Sequence, residues 1–254
     1  MPPTLVAHRG YPLHYPENTQ VAIEAAVRAG ACYVEFDIQL TADGVPVLLH
    51  DADLQRMAGV DHCIHDLTLA QARVFSFGEA DRLGDKFSEV RIATLAEITA
   101  FLTTTPDTRA FVEIKRASLR RFGVERVMDA VFAAIGNVSA QCVIISFDAD
   151  ALRYTRTHSA LPIGWVFEPW SQDALELGTA LRPEYIFTDH ETLPDNIATL
   201  PQNSSAAWTW ALYEVSDPDV ALRLAQRGAT LIETNAVGEM LRDPRLSAGA
   251  CLGR

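Results

Sequence analysis

The chain has 254 residues and a mass of 27.9 kDa. That is too long for a small scaffold needing disulfides or a structural metal, and close to the size of one barrel-type α/β domain. With 48% apolar and 21% charged residues, disorder, collagen and coiled coil are excluded as whole-chain readings. The 33 acids against 21 bases give a net charge of −12. That argues against non-specific binding to nucleic acid or an anionic membrane, both of which need a basic face, while a small anionic substrate remains compatible.

The N-terminus reaches a strand at residue 4 with no basic region or long apolar run, so no signal peptide is expected. No apolar stretch approaches roughly 18 residues, so stable membrane insertion is not expected either. Cys32, Cys63, Cys142 and Cys251 are widely spaced without a C-x-x-C pair. They read as free thiols in a reducing, cytoplasmic compartment.

Short β-branched runs alternate with segments of helical period. The predicted strands are residues 4–7, 33–38, 110–114, 142–146, 163–167, 185–187, 206–210 and 230–233. The predicted helices are 18–29, 95–103, 124–135, 149–157, 173–177 and 218–226. In the first helix Val21, Ala22, Ala25, Ala26 and Ala29 share one face, and Gly30 follows as a C-cap. Eight strands alternating with helices predict a (β/α)₈ TIM barrel forming one domain over 1–254. A doubly wound open sheet is the alternative, disfavoured because no G-x-G-x-x-G follows the first strand. Residues 52–92 show little sustained period and read as an insertion after the second strand, at the end of a barrel where insertions shape substrate access.

Side chains alternate across a strand. In Tyr33-Val34-Glu35-Phe36-Asp37-Ile38 the two acids therefore face one way and the apolar set the other. Phe111-Val112-Glu113-Ile114-Lys115 repeats the pattern, and the first strand ends Val6-Ala7-His8-Arg9-Gly10. A lone E-x-D on a strand is more often solvated or arginine-paired. Here its recurrence, beside His8 and Arg9, aims several acids at one volume. At an effective dielectric of about 20, each carboxylate pair at ~4 Å costs on the order of 4 kcal/mol, so a neutralising charge is required. A hard divalent cation, Mg²⁺ or Ca²⁺, suits oxygen ligands, whereas a structural zinc site does not fit a cluster without cysteine. The turn Asp43-Gly44 predicts a hairpin that carries His50 back towards the acids as an acid/base partner for His8. Glu17 and Asn18 read equally well as helix-start residues, with Asn18 or Thr19 as N-cap. His14, His62, His65, His158 and His190 show no comparable constellation.

His8-Arg9-Gly10, Pro16-Glu17-Asn18-Thr19, Glu35-Phe36-Asp37, Thr41-Ala42-Asp43-Gly44-Val45-Pro46-Val47 and His50-Asp51 together resemble the glycerophosphodiester phosphodiesterases. The likeness continues through Leu95-Ala96-Glu97-Ile98 and Val112-Glu113-Ile114-Lys115, and thins to pattern level at Ser146-Phe147, Thr188-Asp189 and Glu233-Thr234-Asn235. The resemblance implies a TIM barrel with a small insertion and a divalent cation held by Glu35, Asp37 and Glu113. It also implies His8 and His50 as the acid/base pair, and Arg9 and Lys115 holding phosphate oxygens. The implied reaction converts a glycerophosphodiester to sn-glycerol 3-phosphate and an alcohol such as choline or ethanolamine. There are departures: Trp208-Thr209-Trp210-Ala211 lacks the asparagine common after that Trp-Thr, and Arg91-Ile92-Ala93 has alanine where proline is common. Two rivals are a lysophospholipase D-type enzyme, for which Phe75, Phe77 and Phe87 could supply an apolar rim, and a catalytically silent barrel binding a phospho-ligand.

Overall fold

The computed structural model describes residues 2–202 and 207–247. Eight parallel strands close on themselves: β1 (Thr4–Ala7), β2 (Tyr33–Leu40), β4 (Arg109–Ile114), β5 (Cys142–Ser146), β6 (Ile163–Phe167), β7 (Tyr185–Asp189), β8 (Thr209–Tyr213) and β9 (Leu231–Thr234). Each pairs with the next, and β9 returns to β1. The remaining strand, β3 (Pro46–Leu48), runs antiparallel to β2 in the expected hairpin, with Ile38 opposite Leu48 and Leu40 opposite Pro46. The molecule is thus a TIM barrel, and the open-sheet alternative is set aside.

The sequence explains why it closes. Along β2, Val34, Phe36 and Ile38 join the large outer core under the helices, while Glu35 and Asp37 take the inner side. Val6, Phe111, Ile145, Val166, Phe187 and Leu231 fill the barrel interior, where Phe111 meets Phe187 edge-to-face at 4.9 Å. Helices Val124–Ile135 and Pro218–Gln226 match their predicted bounds. Helix Gln20–Arg28 starts later than expected because Thr19 is the N-cap, accepting from the Ala22 amide. Helices Arg116–Phe122 and Val237–Leu241 went unpredicted. The first is charged and brief, with Leu119 its only buried large apolar side chain, so it carries no apolar stripe to read.

Three other expectations need correction. The eighth-strand prediction at 206–210 is displaced: the strand is Thr209–Tyr213, Trp208 packs in the outer core, and Ala206 lies outside the described residues. The 52–92 insertion is not irregular: its short helices enclose a core of their own, including Leu54, Met57, Ile64, Ala72 and Phe77. Single-turn helices are too brief to leave a period in the sequence. Finally, Cys63 and Cys142 are free, but Cys32 is disulfide-bonded. Spacing along the chain does not report proximity in space, which is what a disulfide requires. Among the described residues, no helix is long and apolar enough to cross a membrane.

Gly164 on β6 sits where a Cβ would stand 2.8 Å from Ile145 Cγ2 and 3.2 Å from the Phe187 ring. Its absence of a side chain makes room for the aromatic layer. Gly164→Ala should therefore lower unfolding free energy by roughly 1–3 kcal/mol through overpacking, measured by urea denaturation.

Candidate active site

The site forms at the C-terminal mouth of the barrel, from the ends of strands that the hydrogen-bond register brings level. Asp37 on β2 lies opposite Glu113 on β4. Alternation puts Glu35 on the same inner face, so ligand oxygens from Glu35, Asp37 and Glu113 come within 4.8 Å of one another. Glu35 and Asp37 are buried; the Glu113 side chain is largely covered.

Cations thread between the acids. Arg9 and Gly10 follow β1 with positive φ (51° and 86°), and a Cβ on Gly10 would lie 2.7 Å from the Ala22 carbonyl carbon. That tight elbow turns the Arg9 backbone amide onto Glu35 Oε2 at 3.0 Å. It also brings the guanidinium to Asp37 Oδ2 and Glu17 Oε1, both at 3.1 Å. Lys115 Nζ bridges Glu113 Oε1 (2.8 Å) and Asp37 Oδ1 (3.2 Å). Asn18 is not a helix cap. Its side-chain amide donates to Asp37 Oδ2 at 2.7 Å, and its carbonyl oxygen accepts from the Asp37 backbone amide at 2.9 Å.

These contacts divide the carboxyls. Burial opposes ionisation of Asp37, yet Lys115 and Arg9 hold it well below the ordinary aspartate range. Glu35 goes the other way, raised first by burial and then by Asp37, Glu233 and Glu113; Glu113 is raised by burial although Lys115 offsets part of it. Glu35 Oε1 is buried with no hydrogen-bond partner in the structure. A buried carboxyl oxygen without a donor, inside an all-oxygen cluster, is the environment a hard divalent cation relieves, so these residues fit one.

The two expected histidines face the same cleft. His8 Nδ1 is 2.8 Å from Asn235 Oδ1 and 3.6 Å from Glu214, while its Nε2 lies 3.9 Å from Glu35 Oε2. His50 is delivered by the β2–β3 hairpin, and its Nδ1 is 2.7 Å from Asp51 Oδ1. Asp51 is held in turn by Arg56 (2.8 Å), whose other end reaches Glu17 (2.8 Å) and so joins the insertion to the barrel. The cleft, about 210 Å³, is lined further by Ile145, Phe147, Val166, Phe187, Tyr213 and Glu233. All seven predicted site residues thus converge on the mouth. Sequence reading missed Asn18 as the Asp37 clamp and gave no role to Glu214 or to Glu233, which is buried on β9 with Oε1 unpartnered. An acid directly after Leu231-Ile232 at the end of a predicted strand was a usable signal. His65 is buried against Gln39 and Ser118, 3.1 Å from each. Of the phenylalanines considered for a lipid rim, Phe77 and Phe87 are buried.

A βα barrel with acids, cations and two histidines gathered at its mouth has the make-up of a barrel enzyme with an ionic active site. A family model described as the glycerophosphoryl diester phosphodiesterase family matches residues 8–239, and the chain belongs to that family. It is 27% identical over 230 residues to a glycerophosphodiester phosphodiesterase of Caldanaerobacter subterraneus subsp. tengcongensis, covering 88% of this chain and 91% of that protein. It is 33% identical over 172 residues to rat glycerophosphodiester phosphodiesterase 1, covering 65% of this chain but 49% of the rat protein. Among solved structures, an Oleispira antarctica phosphodiesterase in complex with the product sn-glycerol-3-phosphate superposes with a TM-score of 0.82 at 20% identity. That match covers 95% of this chain and 96% of the other. A Thermotoga maritima glycerophosphodiester phosphodiesterase gives 0.74 at 25% identity, covering 94% and 97%.

Burial first, and the Arg9 charge second, lower the His8 pKa from 6.5 to about 4. His8 is therefore neutral at pH 7. An unfolded chain binds the proton near pH 6.5 where the folded one refuses it, so this group's contribution to stability is complete above that pH and is lost as pH falls towards 4. In metal-free protein the His8 ring resonances should stay fixed from pH 8 to about 5. The slope of stability against pH between 6.5 and 4 should be shallower in His8→Leu than in the wild type.

Proposed function

We propose that the chain hydrolyses glycerophosphodiesters to sn-glycerol 3-phosphate and an alcohol, using a divalent cation at Glu35, Asp37 and Glu113 and the histidines His8 and His50 for proton transfer. The observation that carries this reading is the meeting of those five side chains with Arg9 and Lys115 around one cleft. The product named for the Oleispira antarctica structure supports the same substrate class.

A phosphodiester is anionic, and the nucleophile must approach it against that charge. Arg9 and Lys115 bind the non-bridging oxygens and offset the negative charge that builds there. A Mg²⁺ or Ca²⁺ ion held by Glu35, Asp37 and Glu113 would supply further positive charge to the site. With water as the nucleophile, one histidine takes its proton and the other gives one to the departing alcohol oxygen, so the elements of water are added across the cleaved P–O bond. With the substrate's own glycerol hydroxyl as nucleophile, the same two transfers release the alcohol and leave a cyclic phosphate that water then opens. Asn235 on His8 and Asp51 on His50 fix the two rings.

The substrate we favour is a small glycerophosphodiester rather than a lysolipid. Leu13 and Val74 are the large apolar side chains exposed among the described residues, and two isolated side chains do not make a lipid rim. The intact set of acids, cations and histidines also favours a catalyst over a silent phospho-ligand barrel. The chain acts as one domain on this reading. A cytoplasmic setting, expected from the cysteine spacing, is part of this reading, with the Cys32 disulfide as a pairing that the spacing did not announce.

Glycerol 3-phosphate release from glycerophosphocholine should stop on adding EDTA and return with Mg²⁺ or Ca²⁺; activity indifferent to chelation would remove the cation from the scheme. His8→Ala and His50→Ala should each lower kcat by roughly 10²–10⁴-fold in the same assay, and near-normal turnover in either would refute the pair.

A further inference from the structure

One buried carboxyl of the cleft takes no part in this scheme. Glu233 on β9 is in register with Val6 of β1, two residues deeper in the barrel than His8. It is 4% exposed, its Oε1 is buried without a hydrogen-bond partner, and it lines the cleft beside Ile145, Val166 and Phe187. A carboxyl oxygen buried without a donor is costly. The fold supplies no hydrogen-bond donor to this oxygen: Ile145, Val166 and Phe187 line the floor beside it, and the charged groups within range are Glu113, Arg9, Asp37 and Glu214.

What fits there follows from the chemistry. A carboxyl oxygen accepts hydrogen bonds, and Arg9 and Lys115 take the phosphate, so an uncharged donor goes to the floor. A cationic head group would have to be stripped of water to reach this buried floor, and it would meet the repulsion of Arg9 there. It finds exposed carboxylates instead at the rim, on Glu168 and Glu214. A hydroxyl enters at much lower desolvation cost.

We propose that Glu233 is the hydroxyl-binding residue of the substrate pocket: it accepts a hydrogen bond from a free hydroxyl of the glycerol moiety, selecting polyol-bearing phosphodiesters and fixing which end of the substrate enters first. This rests on the phosphodiesterase reading above. It makes Glu233 a specificity determinant that is kept despite a cost in stability.

The test compares ligands with the same phosphate and different tails, in wild type, Glu233→Gln and Glu233→Leu. Calorimetry measures binding of sn-glycerol 3-phosphate, methyl phosphate and phosphoethanolamine; kinetics compares glycerophosphocholine with methyl phosphocholine. Wild type should prefer the hydroxyl-bearing member of each pair by about 3–10-fold, the span of one hydrogen bond. Glu233→Leu should lose that preference, and Glu233→Gln, whose amide oxygen still accepts, should keep part of it. Glu233→Leu should also melt a few degrees higher, because an unsatisfied buried polar group is gone. The proposal is overturned if Glu233→Leu retains the preference or weakens both members of a pair equally. It is also overturned if that variant melts lower, which would give the carboxyl a structural partner, or if phosphoethanolamine is the ligand selectively lost. Should wild type fail to hydrolyse glycerophosphocholine, the phosphodiesterase reading falls, while the calorimetric comparison still decides the role of Glu233.

Discussion

Like charges held close together govern this molecule. The β2–β4 register sets Asp37 opposite Glu113, with Glu35 on the same inner face, and carboxylates at such range repel by several kcal/mol each at an effective dielectric of about 20. Much of the local architecture answers that repulsion. The elbow after β1 exists at a left-handed backbone cost, and it delivers both an amide to Glu35 and a guanidinium to Asp37. Lys115, at the end of the strand bearing Glu113, spans the two carboxyls it separates. Asn18 takes a positive φ to clamp Asp37 at both side chain and backbone.

The balance struck is unequal, and the inequality is useful. Asp37 is saturated with donors and stays ionised, whereas Glu35 keeps one buried oxygen without a partner. A site with every carboxyl neutralised from within would be stable and inert to ions. This one retains capacity for an added positive charge, which is the property a phosphate-handling centre needs.

Much of this was legible in the residues. Alternation along Tyr33–Leu40 and Arg109–Ile114 announced which side chains face inward, and Asp43-Gly44 announced the hairpin that returns His50. Period-2 and period-3.6 patterns survive when an element is long and has one apolar face. They fail where packing is decided by partners far away in sequence. Thr209–Tyr213 is buried on both sides and was misplaced at its start, and the single-turn helices of the insertion leave no period at all. Asn18 sits beside a helix start and reads as a cap, because the competing partner, Asp37, is remote in sequence and adjacent only in the folded chain. Glu233 was visible as an acid in an apolar strand, but its isolation from any donor is a property of the assembled barrel.

His50 differs from the other site residues in how it is mounted. It follows the return arm of a hairpin, beyond Leu48, and not the end of a barrel strand. The bend setting that arm is fixed by Thr41 Oγ1 donating to Asp43 Oδ1 at 2.6 Å and by Gly44 at φ 82°. Between the bend and the imidazole the arm is pinned: the Leu48 amide donates to the Ala93 carbonyl, the Leu49 amide to the Asp37 carbonyl, and Gln39 Nε2 to the His50 carbonyl at 2.9 Å. The backbone that carries the ring is thereby fastened to the strand that carries Asp37, so the spacing between imidazole and carboxylate is set by sheet hydrogen bonds and is insulated from the outlying turn.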